Sequence, residues 1–388
     1  MSEAYFTKLS DALRAANIHQ SALVLDLDRL NANIAAIKAR LPKELALRIV
    51  DKSLPCLQLL EVIRTAFASD RFMSFHLSIS AEVLKRFPSA ELLLGKPMPV
   101  EGVRHALKSG VLAGIDGALS RIVWLIDTDQ RLAEYGALAA ELGADLRVCF
   151  EVDVGLHRGG YRDPDALIRA LALLVQYPRL KCQGVMAYEP QIGRIPKLLG
   201  GPAKAQARAT SLLREFAACL GKDQRAIVNT GGSSTALLYD GWIAANEVSI
   251  GSAFVLPTDF DVASLAALQP AAFIATPILK VIEPEMPGLD GRTSLLQRLG
   301  LFPRRGCYLY GGKWMAWPVH PAGMKPNKTI GFSTNQQFMG LPADSQAKPG
   351  DYAFLRPTQS EFVLQQFGMI RIYSDGSIVD SWPALPFS

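Results

Sequence analysis

Short apolar segments alternate with helical patterns over the first two thirds of the chain, and this alternation constrains the fold more than any other feature. The segments predicted as strands, several of them rich in β-branched residues, are 22–27, 47–51, 72–76, 91–95, 122–126, 146–152, 182–187, 226–229 and 247–255. Amphipathic stretches between them predict helices, for example at 30–40, 81–86, 129–142, 163–175 and 204–220. Strands and helices alternating at this spacing indicate parallel β-α-β units, and eight or nine units favour a closed barrel over an open sheet. Because such a barrel has eight strands, one of the predicted strands is a pairing element or an error.

The pattern changes after about residue 260, where strands follow one another without long helices. They are predicted at 272–282, 306–310, 352–355, 362–373 and 377–381. Between the last two, Asp375-Gly376 is a pair typical of a tight β-hairpin. We therefore predict an α/β protein with a TIM-type (β/α)8 barrel over residues 20–260 and an antiparallel β domain over 261–388. An amphipathic helix at 3–17 is expected to pack on that second domain.

Composition excludes several classes of function. With 388 residues, 49% of them hydrophobic and 20% charged, the chain is globular and has a large core. The net charge of +5 is mild, and no basic block carries interleaved aromatic residues, so we expect no nucleic-acid partner. The five cysteines are odd in number and widely spaced, which argues against a disulfide framework and for a reducing compartment. No signal peptide and no apolar run of about 18 residues is found, so the expected location is cytoplasmic, away from membranes.

One lysine stands where the second predicted strand ends. Lys52 follows the run Leu47-Arg48-Ile49-Val50-Asp51. In a parallel barrel, a residue at the carboxyl end of a strand faces the end of the barrel at which active sites gather. A lysine partly buried there becomes a nucleophile that can form a Schiff base with a carbonyl compound.

Two further strand ends carry candidate ligands. The strand at 146–152 runs into a glycine-rich turn that contains Arg158, whose fork of donors suits a phenolate or a carboxylate. The strand at 182–187 ends at Tyr188, which can stack on a ring or form a hydrogen bond with it. Each residue also has an ordinary structural explanation, namely turn formation for the loop and packing for the tyrosine.

The last two predicted barrel strands are followed by small and hydroxyl residues that suit a phosphate group. The segment after the strand at 226–229 comprises Thr230, Gly231, Gly232, Ser233 and Ser234, and the next strand runs into Gly251 and Ser252. Free backbone N–H groups and hydroxyls bind phosphate, and TIM barrels often place phosphate sites after their last two strands. Together with a lysine at an early strand end, this predicts a phosphate-bearing aldehyde, for which pyridoxal 5′-phosphate is the obvious candidate.

These motifs, in their order and spacing, resemble a known family. The matching segments are Arg48-x-x-x-Lys52-Ser53, Glu151-Val152-Asp153-Val154-Gly155-x-x-Arg158-x-Gly160, Asn229-Thr230-Gly231-Gly232-Ser233 and Asp375-Gly376-Ser377-Ile378-Val379-Asp380. From about residue 20 to the end, the chain resembles the fold type III pyridoxal-phosphate enzymes, in the D-threonine aldolase and D-serine dehydratase branch related to alanine racemase.

The resemblance implies a role for each candidate residue. Lys52 is implied as the Schiff-base lysine, Arg158 as a neighbour of the cofactor ring oxygen or the substrate carboxylate, and Tyr188 as a residue beside the ring. The segment Thr230–Ser234, with Gly251 and Ser252, is implied as the phosphate site. The expected activity is lyase chemistry, either aldol cleavage or dehydration, on a β-hydroxy-D-amino acid. A homodimer is expected on the same basis.

The sequence departs from this family at its metal site. The aldolases and dehydratases hold a divalent metal with a His-x-Cys pair just after a proline late in the β domain, and here Gln359 and Glu361 stand at those positions. Because a Gln and Glu pair is a poor zinc site, the metal and the metal-assisted reaction are in doubt. Two further departures are the segment Ile49-Val50-Asp51, where the family often has proline and histidine before the lysine, and Ser249, where arginine is common.

Other functions remain open from the sequence. Racemisation needs a second acid or base on the opposite face of the substrate, for which Tyr308, Tyr310 and His320 are candidates. Aldol cleavage without a metal needs a base for the β-hydroxyl, for which His157 and His76 are candidates. A non-catalytic pyridoxal-phosphate carrier and a cofactor-free phosphosugar lyase with a Schiff-base lysine are the remaining alternatives. The extra β domain argues against both.

Overall fold

The computed structural model describes residues 1–196, 198, 200–239, 244–289 and 291–386 of the chain. These residues divide into two compact units. The first, here called the barrel unit, is built mainly from Ile34–Phe254. The second, here called the sheet unit, is built mainly from Met1–Asn33 and Leu268–Ala384.

The elements are numbered along the chain. The strands are β1 (Ala22–Asp26), β2 (Ala46–Val50), β3 (Arg71–Ser74), β4 (Glu91–Leu94), β5 (Ile122–Ile126), β6 (Leu146–Val152), β7 (Leu180–Ala187), β8 (Ile227–Thr230), β9 (Glu247–Ile250), β10 (Ala272–Ile282), β11 (Arg305–Tyr310), β12 (Ala316–His320), β13 (Lys325–Pro326), β14 (Gln336–Leu341), β15 (Tyr352–Pro357), β16 (Met369–Ser374) and β17 (Ser377–Pro383). The helices are α1 (Glu3–Ala15), α2 (Leu27–Arg40), α3 (Leu57–Phe67), α4 (Leu77–Arg86), α5 (Val100–Lys108), α6 (Ala118–Arg121), α7 (Asp129–Leu142), α8 (Pro164–Leu174), α9 (Gly201–Ala218), α10 (Thr293–Arg298) and α11 (Ser360–Leu364).

Strands β2 to β9 form a closed parallel barrel, which confirms the predicted fold class. Their interior carries a shared apolar layer that includes Val50, Leu93 and Val123. Local signals set the helix ends. The Thr128 hydroxyl accepts a hydrogen bond from an N–H in the first turn of α7, and Gly143, directly after its last residue, adopts the left-handed conformation that ends the helix. None of the helices in the described part of the chain is long and apolar enough to cross a bilayer.

The surplus strand of the predicted barrel is β1. It lies in the sheet unit, where it pairs antiparallel with β10 and parallel with β16. All five of its residues are buried, as they would be in a barrel strand. An apolar run of this kind fits either sheet, because its sequence contains no information about its partner strands. The prediction that residues 22–27 belong to the barrel was therefore wrong.

The sheet unit contains a nine-stranded, mostly antiparallel sheet in the described residues, with strand order β13-β14-β11-β10-β1-β16-β17 and with β15 joining β10 to β12. Helix α1 buries Phe6 and Leu13 against Phe354 and its neighbours in this unit. The predicted hairpin at Asp375-Gly376 is confirmed by positive φ angles of 49° and 81°.

One predicted strand in this unit was wrong in part. The apolar run 362–373 begins within helix α11, and β16 starts only at Met369. Gly368 separates the two elements with a φ of 67°, a left-handed conformation that favours glycine.

Candidate active site

The carboxyl ends of β2 to β9, here called the barrel mouth, carry every barrel residue that the sequence singled out as a ligand. Because the strands are parallel and the barrel is closed, these ends lie on one side of it. Lys52 follows β2, Arg158 lies in the loop after β6, and Tyr188 follows β7. The glycine and hydroxyl segments follow β8 and β9.

Lys52 lies in a short 3₁₀ turn formed by residues 51–53 and is half-buried. Its Nζ lies 4.2 Å from the centroid of the Phe75 ring, which is within range of a cation–π interaction. Phe75 in turn packs on the backbone of Gly95, where an added Cβ would come within 2.2 Å of the ring. A glycine at position 95 therefore makes room for the aromatic ring that supports the lysine.

Asp51, directly before Lys52, was not predicted as a site residue. It is fully buried, and neither carboxyl oxygen has a well-formed hydrogen bond to another described residue. Burial raises the pKa of Asp51 to about 7, and the nearby Ser74 hydroxyl and the N–H and ammonium groups of Lys52 offset this only in part. The available sequence signal was an acid at the end of an otherwise apolar strand.

Asp153 shapes the loop that carries Arg158. Its Oδ1 accepts hydrogen bonds from the backbone N–H groups of Gly155 at 2.8 Å and His157 at 3.0 Å. Its Oδ2 accepts one from His157 Nδ1 at 2.8 Å, while 79% of the histidine side chain is exposed. Although partial burial opposes it, these donors hold the pKa of Asp153 below its usual value. The histidine is thus held by one ring nitrogen and presents the other, Nε2, to solvent.

Arg158 and Tyr188 lie next to each other at the barrel mouth. The guanidinium carbon of Arg158 lies 5.1 Å from the centroid of the Tyr188 ring. Arg158 Nη2 also approaches Glu151 Oε1 at 3.5 Å. Burial raises the pKa of Glu151, and the neighbouring arginine counteracts part of that shift.

The segments after β8 and β9 form a compact polar surface, here called the phosphate cradle (Thr230–Ser234 with Gly251 and Ser252). Ser233 Oγ accepts hydrogen bonds from the backbone N–H groups of Gly251 at 3.2 Å and Ala253 at 3.1 Å, so two backbone donors converge on one oxygen. Gly251 has no room for a side chain, since an added Cβ would lie 2.7 Å from Ser53 Cβ. Converging N–H groups with close backbone approach suit a phosphate.

A buried glutamate, Glu189, forms a hydrogen bond with the cradle residue Thr230. The sequence alone did not identify it. Glu189 is fully buried, and it accepts hydrogen bonds from Thr230 Oγ1 at 2.9 Å, Thr235 Oγ1 at 2.9 Å and the Tyr239 hydroxyl at 3.1 Å. Burial raises its pKa, and the three hydroxyls oppose that shift. The available sequence signal was its position directly after Tyr188 at a strand end.

Close contacts link these parts into one site. At one side, Gly251 packs against Ser53, the neighbour of Lys52 in the chain. At the other, an added Cβ at Gly232 would come 2.7 Å from Tyr188, which lies beside Arg158. The Lys52 amine, converging backbone N–H groups and an arginine thus share one barrel mouth, and residues of these types fit pyridoxal phosphate.

The candidate second acids lie in the sheet unit, where two of them have packing roles. The Tyr308 ring packs 5.3 Å from that of Phe338. The His320 ring stacks 5.0 Å from Phe6, and its Nδ1 lies 3.3 Å from Glu3 Oε2. Burial lowers the pKa of His320, and the glutamate opposes this. Tyr310 is about half exposed.

The positions at which the family carries its metal ligands also lie in the sheet unit. Gln359 is the N-cap residue of α11, and Glu361 lies in the first turn of that helix. Among the residues that the structure describes, no three His, Cys, Asp or Glu side chains are grouped so that they could hold a metal ion.

Comparison with known proteins gives a family match over most of the barrel. The family described as alanine racemase, N-terminal domain, matches residues 25–258. No curated protein matches the chain in sequence.

Solved structures share the fold over nearly the whole chain at low sequence identity. D-threonine aldolase from Filomicrobium marinum superposes with a TM-score of 0.71 at 16% identity and covers 94% of both chains. D-threo-3-hydroxyaspartate dehydratase from Delftia sp. HT23 gives 0.71 at 17% identity, covering 95% of this chain and 97% of its own. Alanine racemase from Clostridium difficile 630 gives 0.68 at 14% identity, covering 93% and 98%.

Proposed function

Because this chain belongs to the alanine racemase N-terminal domain family, we propose that it binds pyridoxal 5′-phosphate at its barrel mouth and acts on an amino acid. The observation that carries the proposal is the contact path from Lys52 through Ser53 to Gly251 and the phosphate cradle. It sets an amine and an anion site on one surface, as a phosphate-bearing aldehyde requires.

Each part of the site would hold a different part of the cofactor. The cradle would bind the phosphate through the backbone N–H groups of Gly251 and Ala253 together with nearby hydroxyls. Lys52 would attach the aldehyde carbon, and Arg158 would neutralise the ring oxygen or a substrate carboxylate. When bound, the cofactor supplies an electron sink that weakens the bonds to the Cα atom of an amino acid.

We further propose that the reaction is lyase chemistry on a β-hydroxy-D-amino acid. Two of the structural neighbours are an aldolase and a dehydratase of such compounds by name, and the whole-chain likeness to both supports this choice. Cleavage between Cα and Cβ requires a base that takes the proton from the β-hydroxyl. His157 is suited to this task, because its bond to Asp153 fixes Nδ1 as the protonated nitrogen and leaves the Nε2 lone pair available.

Racemisation is the second candidate, favoured by the likeness to alanine racemase. It requires one group to remove the Cα proton and another to return it on the opposite face. Lys52 would serve one face, and a second acid or base would serve the other. We expect a homodimer in solution, which light scattering after size-exclusion chromatography would measure.

The test is the near-visible absorbance of the purified protein with pyridoxal phosphate. We expect a band that Lys52→Ala abolishes and that Lys43→Ala, a matched change before β2 at the other end of the barrel, retains. Absence of the band in the wild-type protein after the cofactor is supplied would contradict the proposal.

A second measurement separates the reactions. Production of glycine and acetaldehyde from D-threonine would identify aldol cleavage, whereas solvent deuterium at Cα with inversion would identify racemisation. A protein that shows the band but promotes neither cleavage, dehydration nor exchange with any amino acid would be a cofactor carrier.

A further inference from the structure

The aromatic ring of Phe75 is held in place at the barrel mouth. Phe75 follows β3 directly, is partly buried and packs against the apolar layer inside the barrel. Its ring covers Gly95, after β4, where an added Cβ would lie 2.2 to 2.8 Å from three ring atoms. The Gly95 N–H in turn donates to the Ser74 carbonyl at 2.9 Å, which fixes one strand end against the other. A larger residue at position 95 would therefore displace the ring.

One face of this ring contacts the Lys52 ammonium. Lys52 Nζ lies over the ring, 4.2 Å from its centroid. The face of an aromatic ring carries partial negative charge, so it attracts an ammonium and has little effect on a neutral amine. The contact thus stabilises the charged form of Lys52, whereas the neutral amine is the nucleophile. The ring therefore does not serve to activate Lys52 for attack on an aldehyde.

The proposed chemistry produces a charged, unbound lysine at one step. When an amino acid enters the cofactor-loaded protein, its nitrogen forms a C=N bond to the aldehyde carbon, and the protonated C=N bond from that carbon to Lys52 Nζ breaks. Two protons pass from the substrate ammonium to Nζ, which is released as an ammonium. Before this exchange, the positive charge on Nζ is shared with the cofactor ring. The Phe75 face therefore favours the state in which Lys52 has been released.

We propose that Phe75 is a positioning residue that holds the Lys52 ammonium after an amino acid has displaced it from the cofactor. This inference rests on the proposed function, since it assumes that the cofactor aldehyde is bonded to Lys52 until a substrate arrives. By stabilising the released lysine, the ring promotes the exchange of Lys52 for the substrate. Gly95 contributes to the same effect, because it leaves room for the ring.

The test compares cofactor binding with amine binding in Phe75→Leu, which keeps an apolar side chain and removes the aromatic face. Loss of a cation–π contact changes an equilibrium constant about 2- to 10-fold. Because the free ammonium is destabilised, pyridoxal phosphate should bind more tightly by this factor. Displacement of Lys52 by D-serine or by methylamine, read from the shift of the cofactor band, should need more amine by the same factor. Phe332→Leu, at a 57% exposed phenylalanine outside the barrel unit, is the control and should change neither constant.

Two further changes test the same contact without removing the ring. The methyl group of Gly95→Ala displaces Phe75, so this variant should shift both constants in the same directions as Phe75→Leu. In the Phe75→Leu background, Gly95→Ala should have no further effect, because the two residues act through one contact. Phenylalanine analogues with one, two or three ring fluorines at position 75 should give graded shifts, because fluorine withdraws negative charge from the ring face.

Three outcomes would overturn the inference. They are unchanged constants in Phe75→Leu, weaker binding of both the cofactor and the amines, which indicates structural damage, and an effect on D-serine without one on methylamine, which would make Phe75 a contact of the substrate. Absence of a cofactor band in the wild-type protein would instead contradict the proposed function, and the role of Phe75 with it.

Discussion

The two ends of the barrel differ in how well their buried charged groups are hydrogen-bonded. At the amino-terminal end of the strands, here called the barrel base, Arg48 is fully buried and each of its three guanidinium nitrogens donates a hydrogen bond. It donates to Glu247 at 2.5 and 2.9 Å, to Glu91 at 2.8 Å and to the Phe72 carbonyl at 2.9 Å. At the mouth, Asp51 is also fully buried, but its carboxyl oxygens lack well-formed hydrogen bonds to other described residues.

This difference separates stability from function within one barrel. A buried charge that is fully paired holds the strands in register and leaves no group available for a ligand. Incompletely paired groups cost folding free energy, and such cost is characteristic of sites that bind or react. We therefore infer that the base serves folding and the mouth serves chemistry, as is general in such barrels.

The largest loss of stability is expected when the hydrogen bonds of Arg48 at the barrel base are removed. Arg48→Met leaves Glu247 buried with one strong partner fewer, and removal of one member of a buried ion pair costs about 3 to 5 kcal/mol of unfolding free energy. Arg71→Met is the matched control, because Arg71 donates to the same glutamate at 3.1 Å but is 41% exposed. Removal of the Arg71 side chain should lower the unfolding free energy by about 1 kcal/mol or less. Equal losses in urea denaturation would contradict the assignment of the base to stability.

The next effect depends on pH and arises at the mouth. Because the pKa of Asp51 is raised from 3.8 to about 7, the folded protein binds a proton that the unfolded chain releases above pH 4. Asp51 therefore does not lower the unfolding free energy below about pH 4. Between about pH 4 and 7 it lowers that free energy progressively, and above this range the decrease is constant. Asp51→Asn should equal the wild type in stability at pH 4 and exceed it at pH 8 by up to about 4 kcal/mol.

The measurement for Asp51 is urea denaturation of both cofactor-free proteins at pH 4, 6 and 8. Asp259→Asn, a matched change at an exposed acid outside the barrel unit, controls for net charge. A difference between Asp51→Asn and wild type that does not grow with pH would show that the carboxyl is paired in solution.

The base and the mouth also differ in how much of them the sequence predicts. The barrel was predictable because alternating strand and helix periods repeat along the chain, and each strand end marks a candidate mouth residue. Lys52, Arg158, Tyr188 and the cradle residues were selected as candidates in this way, and their role in binding or catalysis stays a prediction. The assignment of β1 failed because pairing between distant strands leaves no local signal in an apolar run.

The residues that the sequence did not reveal depend on partners far away in the chain. The role of Glu189 depends on the hydrogen bonds that it accepts from Thr235 and Tyr239, which lie 46 and 50 residues further along the chain. The role of Asp51 depends on its complete burial at the end of β2. Sequence spacing does not encode these relations, because they arise when the barrel closes.

A moderate loss of stability and of cofactor affinity is expected when the Thr235 hydroxyl, next to the phosphate cradle, is removed. The Thr235 hydroxyl donates to Glu189 at 2.9 Å and accepts from the Gly232 N–H at 3.0 Å, so Thr235→Val removes two buried hydrogen bonds without changing shape. The loss should be about 1 to 3 kcal/mol of stability, with weaker binding of pyridoxal phosphate. Thr235→Ser retains the hydroxyl and should restore both properties. A stable variant with wild-type cofactor affinity would show that Glu189 does not position the cradle.

The smallest effect on folding, and the sharpest test of the chemistry, is expected at His157. Its side chain is 79% exposed and its one ion pair is with Asp153, so His157→Ala should change the unfolding free energy by about 0.5 kcal/mol or less. If its Nε2 takes the β-hydroxyl proton, the variant should lose cleavage of D-threonine while the spectral shift on binding the amino acid persists. His157→Gln keeps a hydrogen-bonding group without a base and should behave like the alanine variant. Full cleavage activity in both variants would remove His157 from the mechanism and leave its contact with Asp153 as a device that shapes the loop of Arg158.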